Sequence, residues 1–420
     1  MILLGKSKGF LGYRSSFRLT IEELAFHTVV LASSGAGKSC LIGRLVEELA
    51  LGRRARSILI DTNSDFLRFD QVSERVWSER RFSKWLAHRD TRQSFAPRWA
   101  RVSIDVRSTS GGDLGIKPLK LRWPNLSHRQ MAQHLGLREH SEPLTQAFLT
   151  LNRWLAENSY GPYYSIDEFS EVAAEMLNWG QLQSTELEAL QADPLLTDPS
   201  EPVLLALLRY VAAVKHLQEL AIWSKRDGTA AVEDLVADDS IQVIALDVQS
   251  LGEREEREIV VQEAVEIVWT HCQKRTTEGL LGTNGDGHLP YFLVIDEAHN
   301  WAAAEPRSLR EGRICELLRS VAAEGRKSGL FLVLCTQRPR KLHPDVLSEC
   351  DNVFLMRLPN PADLAHVAGQ YGQIPSRLRR ARRFSAGETI FISGQTGRAQ
   401  GFHASPRRTT EGGAGVVERE

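Results

Sequence analysis

Lys38 and Ser39 close a glycine-studded loop, Ala32-Ser33-Ser34-Gly35-Ala36-Gly37-Lys38-Ser39, and far downstream two adjacent carboxylates, Asp296 and Glu297, follow an apolar run. Together these residues suit the chemistry of a nucleoside triphosphate. Glycines let consecutive backbone N–H groups curl around an anion, an ammonium reaches the β- and γ-phosphates, and a hydroxyl ligates Mg²⁺. The expected cradle is therefore Ser34, Gly35, Ala36, Gly37, Lys38, Ser39 and Cys40, with Ser39 and Asp296 as the Mg²⁺ ligands. Glu297 is placed to orient or deprotonate the attacking water. A single carboxylate would suit binding, whereas two in succession suit hydrolysis, so ATP and Mg²⁺ are the expected cofactors. Ala32 stands where such loops usually begin with glycine, which requires negative φ at that position.

Two further positions bear on the same chemistry. Gln337 follows the apolar run 330–335 and either senses the γ-phosphate by hydrogen bonding or caps the turn before Pro339. Arg326 and Lys327 lie between Gly325 and Gly329. They stabilise charge on the transferred phosphoryl group, in the same subunit or across an interface, or they form a solvated basic turn at a helix C-terminus. Ile166-Asp167-Glu168 repeats the letters of the acidic pair without an apolar strand before it; Ser165 and Glu168 there read as a capping box.

The elements that must position these groups are legible from pattern. Residues 27–61 read as strand, phosphate loop, helix and second strand, and the runs 291–295 and 330–335 read as buried parallel strands that deliver polar residues at their carboxyl ends, where ligands bind in open α/β sheets. Residues 67–240 differ in character. Segments 127–137, 143–157, 167–178 and 203–220 have helical spacing, and 102–106 and 119–121 are short enough to be strands. The expected class is α/β, a P-loop NTPase core with a mainly helical insertion. Its expected divisions are a short N-terminal arm (1–26), the core (27–66 and 241–395), the insertion (67–240) and a partly disordered C-terminal tail (396–420).

Composition sets bounds without naming an activity. The 420 residues are 42% hydrophobic and 25% charged, with no apolar run long enough for a membrane span and no paired spacing among Cys40, Cys272, Cys315, Cys335 and Cys350. A cytoplasmic location without membrane contact is the expectation. The net charge of −1 gives no whole-chain case for nucleic acid, but charge can be segregated. Arg53, Arg54 and Arg56 form one basic cluster, and Arg377, Arg379, Arg380, Arg382 and Arg383 form another. The second is dense enough to contact phosphates, and reads at least as well as a solvated face or a subunit contact to acidic residues. Arg98 and Arg101 flank Trp99, which makes that tryptophan a candidate stacking platform for single strands, against the plainer reading as core.

His27 with ASSGAGKS, then LVIDEAHNW, AAEGRKSGLFLVLCTQRP and VLSECDNVFLMRLPNPADL, resemble in that order the motifs of HerA-type ATPases in the FtsK-HerA branch of motor NTPases. Residues 241–274 are similar to the strand and long helix such proteins place before the acidic pair. The resemblance implies a RecA-like core, a homo-oligomer in the form of a hexameric ring, and ATP-driven movement or unwinding of double-stranded DNA. It also implies action beside a nuclease or other effector, in DNA processing or phage defence. Only 26 residues precede His27, too few for the small β-barrel with which these proteins usually begin. The alternative function is an ATP-dependent scaffold or switch that assembles an effector with little translocation of its own.

Overall fold

The computed structural model describes residues 1–8, 14–79, 82, 91–109, 116–123, 126, 128–134, 165–168, 170–171, 212–224, 230–279, 289–371 and 379–412. The chain divides into one unit of residues 1–118 and 235–420 and a second of residues 119–234.

The first unit is built on a sheet of eleven strands: β1 (Ile2–Lys8), β2 (Arg14–Leu19), β3 (Thr28–Leu31), β4 (Arg56–Asp61), β5 (Ile104–Arg107), β6 (Val243–Asp247), β7 (Tyr291–Ile295), β8 (Leu330–Thr336), β9 (Asn352–Leu355), β10 (Glu388–Ile392) and β11 (Ala399–Ala404). Their spatial order is β2-β1-β11-β10-β9-β3-β8-β7-β4-β6-β5. From β9 to β5 every pairing is parallel, and from β9 out to β2 every pairing is antiparallel. Every residue of β3, β4, β6, β7 and β8 is buried, the signature of strands covered on both faces. That is why they read in sequence as continuous apolar runs rather than alternating ones.

Helix α1 (Lys38–Leu51) crosses one face of this sheet and buries Leu41, Leu45, Val46 and Leu49, each contributing about 1.5–3 kcal/mol of hydrophobic stabilisation. Helices α2 (Arg254–Thr277) and α3 (Leu309–Glu324) pack with each other, and Ser308 caps α3 by accepting the Glu311 N–H at 3.0 Å. His27 is fully buried at the foot of β3, where its Nδ1 accepts the Leu332 N–H at 2.9 Å. Burial lowers its pKa to about 4, so it is a neutral structural ligand of the sheet.

The expected divisions differ from the observed ones at three places. Residues 1–26 contain β1 and β2, which extend the sheet. Residues 67–118 fold with the core, including β5 at its edge, so the second unit begins only at Leu119. The expected tail from 396 contributes β11 and then residues 405–412, which run as a strap along α1. Glu47, in the middle of α1 and fully buried, accepts from the Arg408 N–H at 2.7 Å, Arg408 Nε at 3.0 Å, and the Thr409 N–H and hydroxyl at 2.8 and 2.9 Å. A carboxylate this deep needs such a donor set, because burying it unpaired is costly. Richness in Arg, Thr, Gly and Glu suggested a segment either disordered or held by a neighbour; in residues 405–412 the holding group is Glu47 of the same chain. Thr409→Val, which removes one of the four donors at constant volume, is expected to lower stability by about 2 kcal/mol in urea unfolding.

Trp99 is not a stacking platform. It is 1% exposed, stacked on Phe95 with ring centroids 5.5 Å apart and edge-on to Phe69, and its Nε1–H donates to the Phe69 carbonyl. In the second unit, Ser165 and Glu168 form the expected reciprocal cap at 2.6 and 3.2 Å. The expected helix 143–157, most of 167–178 and Arg377 lie outside the described residues. Residues 119–121 form no strand; Leu121 makes a single bridge to Trp223.

Candidate nucleotide site

Three neighbouring strands, β3, β8 and β7, end at the same edge of the sheet and present the phosphate loop, Gln337 and the acidic pair in that order. Gly35 and Gly37 adopt φ of 69° and 97°, and Gly37 ends the turn where α1 begins. A Cβ on Gly37 would be strained at that angle. Arg53, Ser64 and Glu297 are the non-glycine residues with positive φ among those described. Ala32 is not one of them, so the missing first glycine imposes no backbone strain.

The predicted residues of the loop and of the acidic pair meet. Lys38 Nζ donates to Asp296 Oδ1 at 2.5 Å and to Glu297 Oε1 at 2.7 Å. Burial disfavours the ammonium, but Asp296 and Glu297 outweigh it and raise its pKa. Asp296 is held further by Asn63 Nδ2 at 2.5 Å and Thr62 Oγ1 at 3.3 Å, and Ser39 donates its hydroxyl to Asp65. Ser39 and Asp296, with Asp65 beside them, are oxygen donors of the kind that hold Mg²⁺ together with phosphate oxygens. Among the described residues no three His, Cys, Asp or Glu side chains would hold a metal by themselves.

Several contributors had no assignment from sequence. The turn after β4 folds around Asp61, which accepts the N–H groups of Asn63, Asp65 and Phe66, and so aims Asn63 and Asp65 at the site. Arg357, just past β9, clamps the loop by donating to the Ser34 carbonyl at 2.9 Å and the Ser33 hydroxyl at 3.3 Å. His299 has its Nδ1 at 3.4 Å from Glu297 Oε2 and at 3.1 Å from Thr336 Oγ1; burial, then Arg338 and Lys38, lower its pKa to about 4. Glu411 of the strap accepts from Cys40 Sγ at 2.9 Å. All but Glu411 share one signal, a polar residue within a few positions of the carboxyl end of a parallel strand.

Arg326 is elsewhere. It precedes β8, at the edge of the sheet opposite the phosphate loop, where it pairs with Asp351 at 3.0 Å and lies over the Phe26 ring. Its sequence neighbourhood placed it near the carboxyl edge of the sheet; it instead precedes β8, and because β8 runs parallel to β3 that end is the edge away from the phosphate loop, which decides against a role in the site of its own subunit. Gln337 lies at the expected edge and lines a cleft of about 860 Å³ with His299, Arg307, Arg338, Arg340 and Lys341. Arg340 is neutralised by Asp363 at 2.8 Å, whereas the side chains of Arg307, Arg338 and Lys341 are exposed and make no ion pair among the described residues.

A phosphate loop opening a helix, an acidic pair two strands away and a polar strand tip between them, all on one edge of a parallel sheet, define a P-loop NTPase with a RecA-like core. Within that class, residues 9–262 match the model of the central domain of the helicase HerA, and the chain belongs to this family, in the FtsK-HerA superfamily. It is 21% identical over 372 residues, 86% of its length, to the DNA double-strand break repair helicase HerA of Pyrococcus furiosus, of which the match covers 62%. The chain spans less than two thirds of the length of curated relatives it matches. Its fold is similar to that of VirB4 of Thermoanaerobacter pseudethanolicus (TM-score 0.54, 16% identity, 100% of this chain and 98% of that one). It is also similar to that of the plasmid coupling protein TrwB in complex with ADP and Mg²⁺ (TM-score 0.52, 12% identity, 93% and 88%). No helix among the described residues is long and apolar enough to cross a membrane.

Proposed function

We propose that the protein hydrolyses ATP with Mg²⁺ and uses the cycle to move along double-stranded DNA as a homo-oligomeric ring. The observation that carries the hydrolytic part is the position of Glu297, one residue past the Mg²⁺ carboxylate and within reach of Lys38. In this reading Lys38 leaves the carboxylates for the β- and γ-phosphates, Ser39 and Asp296 hold Mg²⁺, Gln337 meets the γ-phosphate, and Glu297 takes the proton of the attacking water. Mg²⁺ draws charge from the phosphate oxygens. Arg326 completes a site only across a subunit interface, so Arg326→Ala is expected to reduce hydrolysis by the assembled form and to leave duplex affinity unchanged.

DNA enters the reading through the family and through the unpaired cations of the cleft beside Gln337. Phosphates of a duplex backbone are the ligand class that three exposed cations on two loops fit best. The affinity for duplex should fall with salt along a log–log slope of about −0.9 per neutralised phosphate, and changing Arg307, Arg338 or Lys341 to Ala should each reduce that slope by about one. Equal slopes in wild type and variants would remove these residues from the DNA track. Absence of duplex binding at any salt would favour the scaffold or switch, and ATPase assays with and without a candidate nuclease or effector would then identify what it regulates.

A further inference from the structure

Glu297 is held in an unusual way. Its backbone is left-handed, at φ 44° and ψ 47°, a conformation a glutamate keeps only when its surroundings impose it. One carboxylate oxygen takes the Lys38 ammonium; the other, Oε2, is buried and makes no hydrogen bond. The polar neighbour of Oε2 is His299 Nδ1 at 3.4 Å, and that same nitrogen sits at 3.1 Å from Thr336 Oγ1. Thr336 Oγ1 in turn accepts the N–H of Arg338 at 3.0 Å, and Arg338 lines the cationic cleft. His299 therefore stands between the hydrolytic carboxylate and the loop that carries the cations.

We propose that His299 is a positioning residue that couples the cleft to Glu297 by donating its one Nδ1–H to either of two acceptors, an inference that rests on the hydrolytic reading of the site. In the observed arrangement His299 Nδ1 is nearer to Thr336 than to Glu297, so Thr336 takes that proton while Lys38 holds Glu297. Once phosphates draw Lys38 away, Glu297 is a buried carboxylate short of a donor, a state that favours transfer of the His299 hydrogen bond from Thr336 to Oε2. The carboxylate is then fixed, its free lone pair on the water. A phosphate backbone pulling on Arg338 drags the Thr336 hydroxyl, which accepts the Arg338 N–H, away from His299 Nδ1, and so biases His299 toward Glu297. Because coupling is reciprocal, nucleotide in the site shifts the loop that meets DNA.

The test compares wild type with His299→Leu, His299→Asn, Thr336→Val and Glu297→Gln in the full chain. Fluorescent ATP titration reads affinity, and steady-state hydrolysis of ATP with Mg²⁺, with and without a blunt duplex, reads kcat and KM. His299→Leu should lower kcat about tenfold at a KM within about threefold of wild type, and should abolish stimulation by duplex. His299→Asn, whose amide nitrogen occupies the place of Nδ1, should recover most of that loss, which a merely structural role would not predict. Thr336→Val keeps the volume and should lose stimulation by duplex. A His299→Leu enzyme with wild-type kcat and stimulation overturns the coupling, as does a His299→Asn enzyme no better than His299→Leu at the same melting temperature. If Glu297→Gln turns over like wild type, the hydrolytic reading has failed and the coupling with it. If Glu297→Gln is dead and His299→Leu is not, the coupling alone has failed.

Discussion

Lys38→Ala should abolish measurable hydrolysis of ATP, with turnover down by about 10³ and nucleotide affinity falling with it. Lys38 is the one cation of the phosphate loop, and its ammonium already sits between the two carboxylates that flank the expected phosphate position. Its removal takes away a charge-assisted contact to the β- and γ-phosphates and leaves those carboxylates uncompensated toward an incoming polyanion, so the two losses reinforce each other. Asp296 keeps Asn63 and Thr62 as partners, which should preserve the local fold. Calorimetric titration with ATP and Mg²⁺, beside a thermal melt, checks both points. A variant that melts normally and hydrolyses at the wild-type rate would show that nucleotide is processed somewhere else.

Glu297→Gln should separate binding from chemistry. The amide keeps the size of the carboxylate but cannot accept the proton of the attacking water, so turnover should fall by about 10²–10⁴. Affinity should hold or improve, because in the free protein Glu297 competes with the phosphates for Lys38, and the neutral amide competes less well. Single-turnover hydrolysis measures the first effect and equilibrium binding the second. Such a variant should accumulate as the ATP-bound assembly, which is the state in which to count subunits and to measure any central channel. Unchanged turnover would remove Glu297 as the general base and leave the acidic pair as a magnesium site only.

These expectations rest on residues that were legible without a structure, and others were not. The phosphate loop, the acidic pair and Gln337 could be read because each lies at the end of a buried parallel strand, and such strands announce themselves as unbroken apolar runs. Local chemistry then specifies the rest, as glycine at positive φ does for Gly35 and Gly37. The reciprocal cap of Ser165 and Glu168 was legible for the same reason, being complete within four residues. Arg326 shows where local reading stops. Its cation at the start of strand β8 was evident, but whether that end of β8 lies beside the phosphate loop or across the sheet from it depends on how β8 runs against β3.

What the sequence determined, then, is what is stored within one element: the turn geometry of the loop, the burial of the strands, and the residue types at their tips. Tertiary structure decided everything that depends on elements distant in the chain coming together. The strap is one case. Its arginines look solvated in isolation, but the buried carboxylate of Glu47, with Glu48 and the Phe95 ring beside it, makes Arg408 and Thr409 interior residues. Trp99 is another, aromatic beside two arginines in sequence and sealed between Phe69 and Phe95 in space. His299 is the third, silent in sequence because its role comes from Thr336 and Glu297 converging on one nitrogen. The physical reason is common to all three: the worth of a polar or aromatic side chain is set by the partners and the solvent around it, and those are supplied by packing rather than by neighbours in the chain.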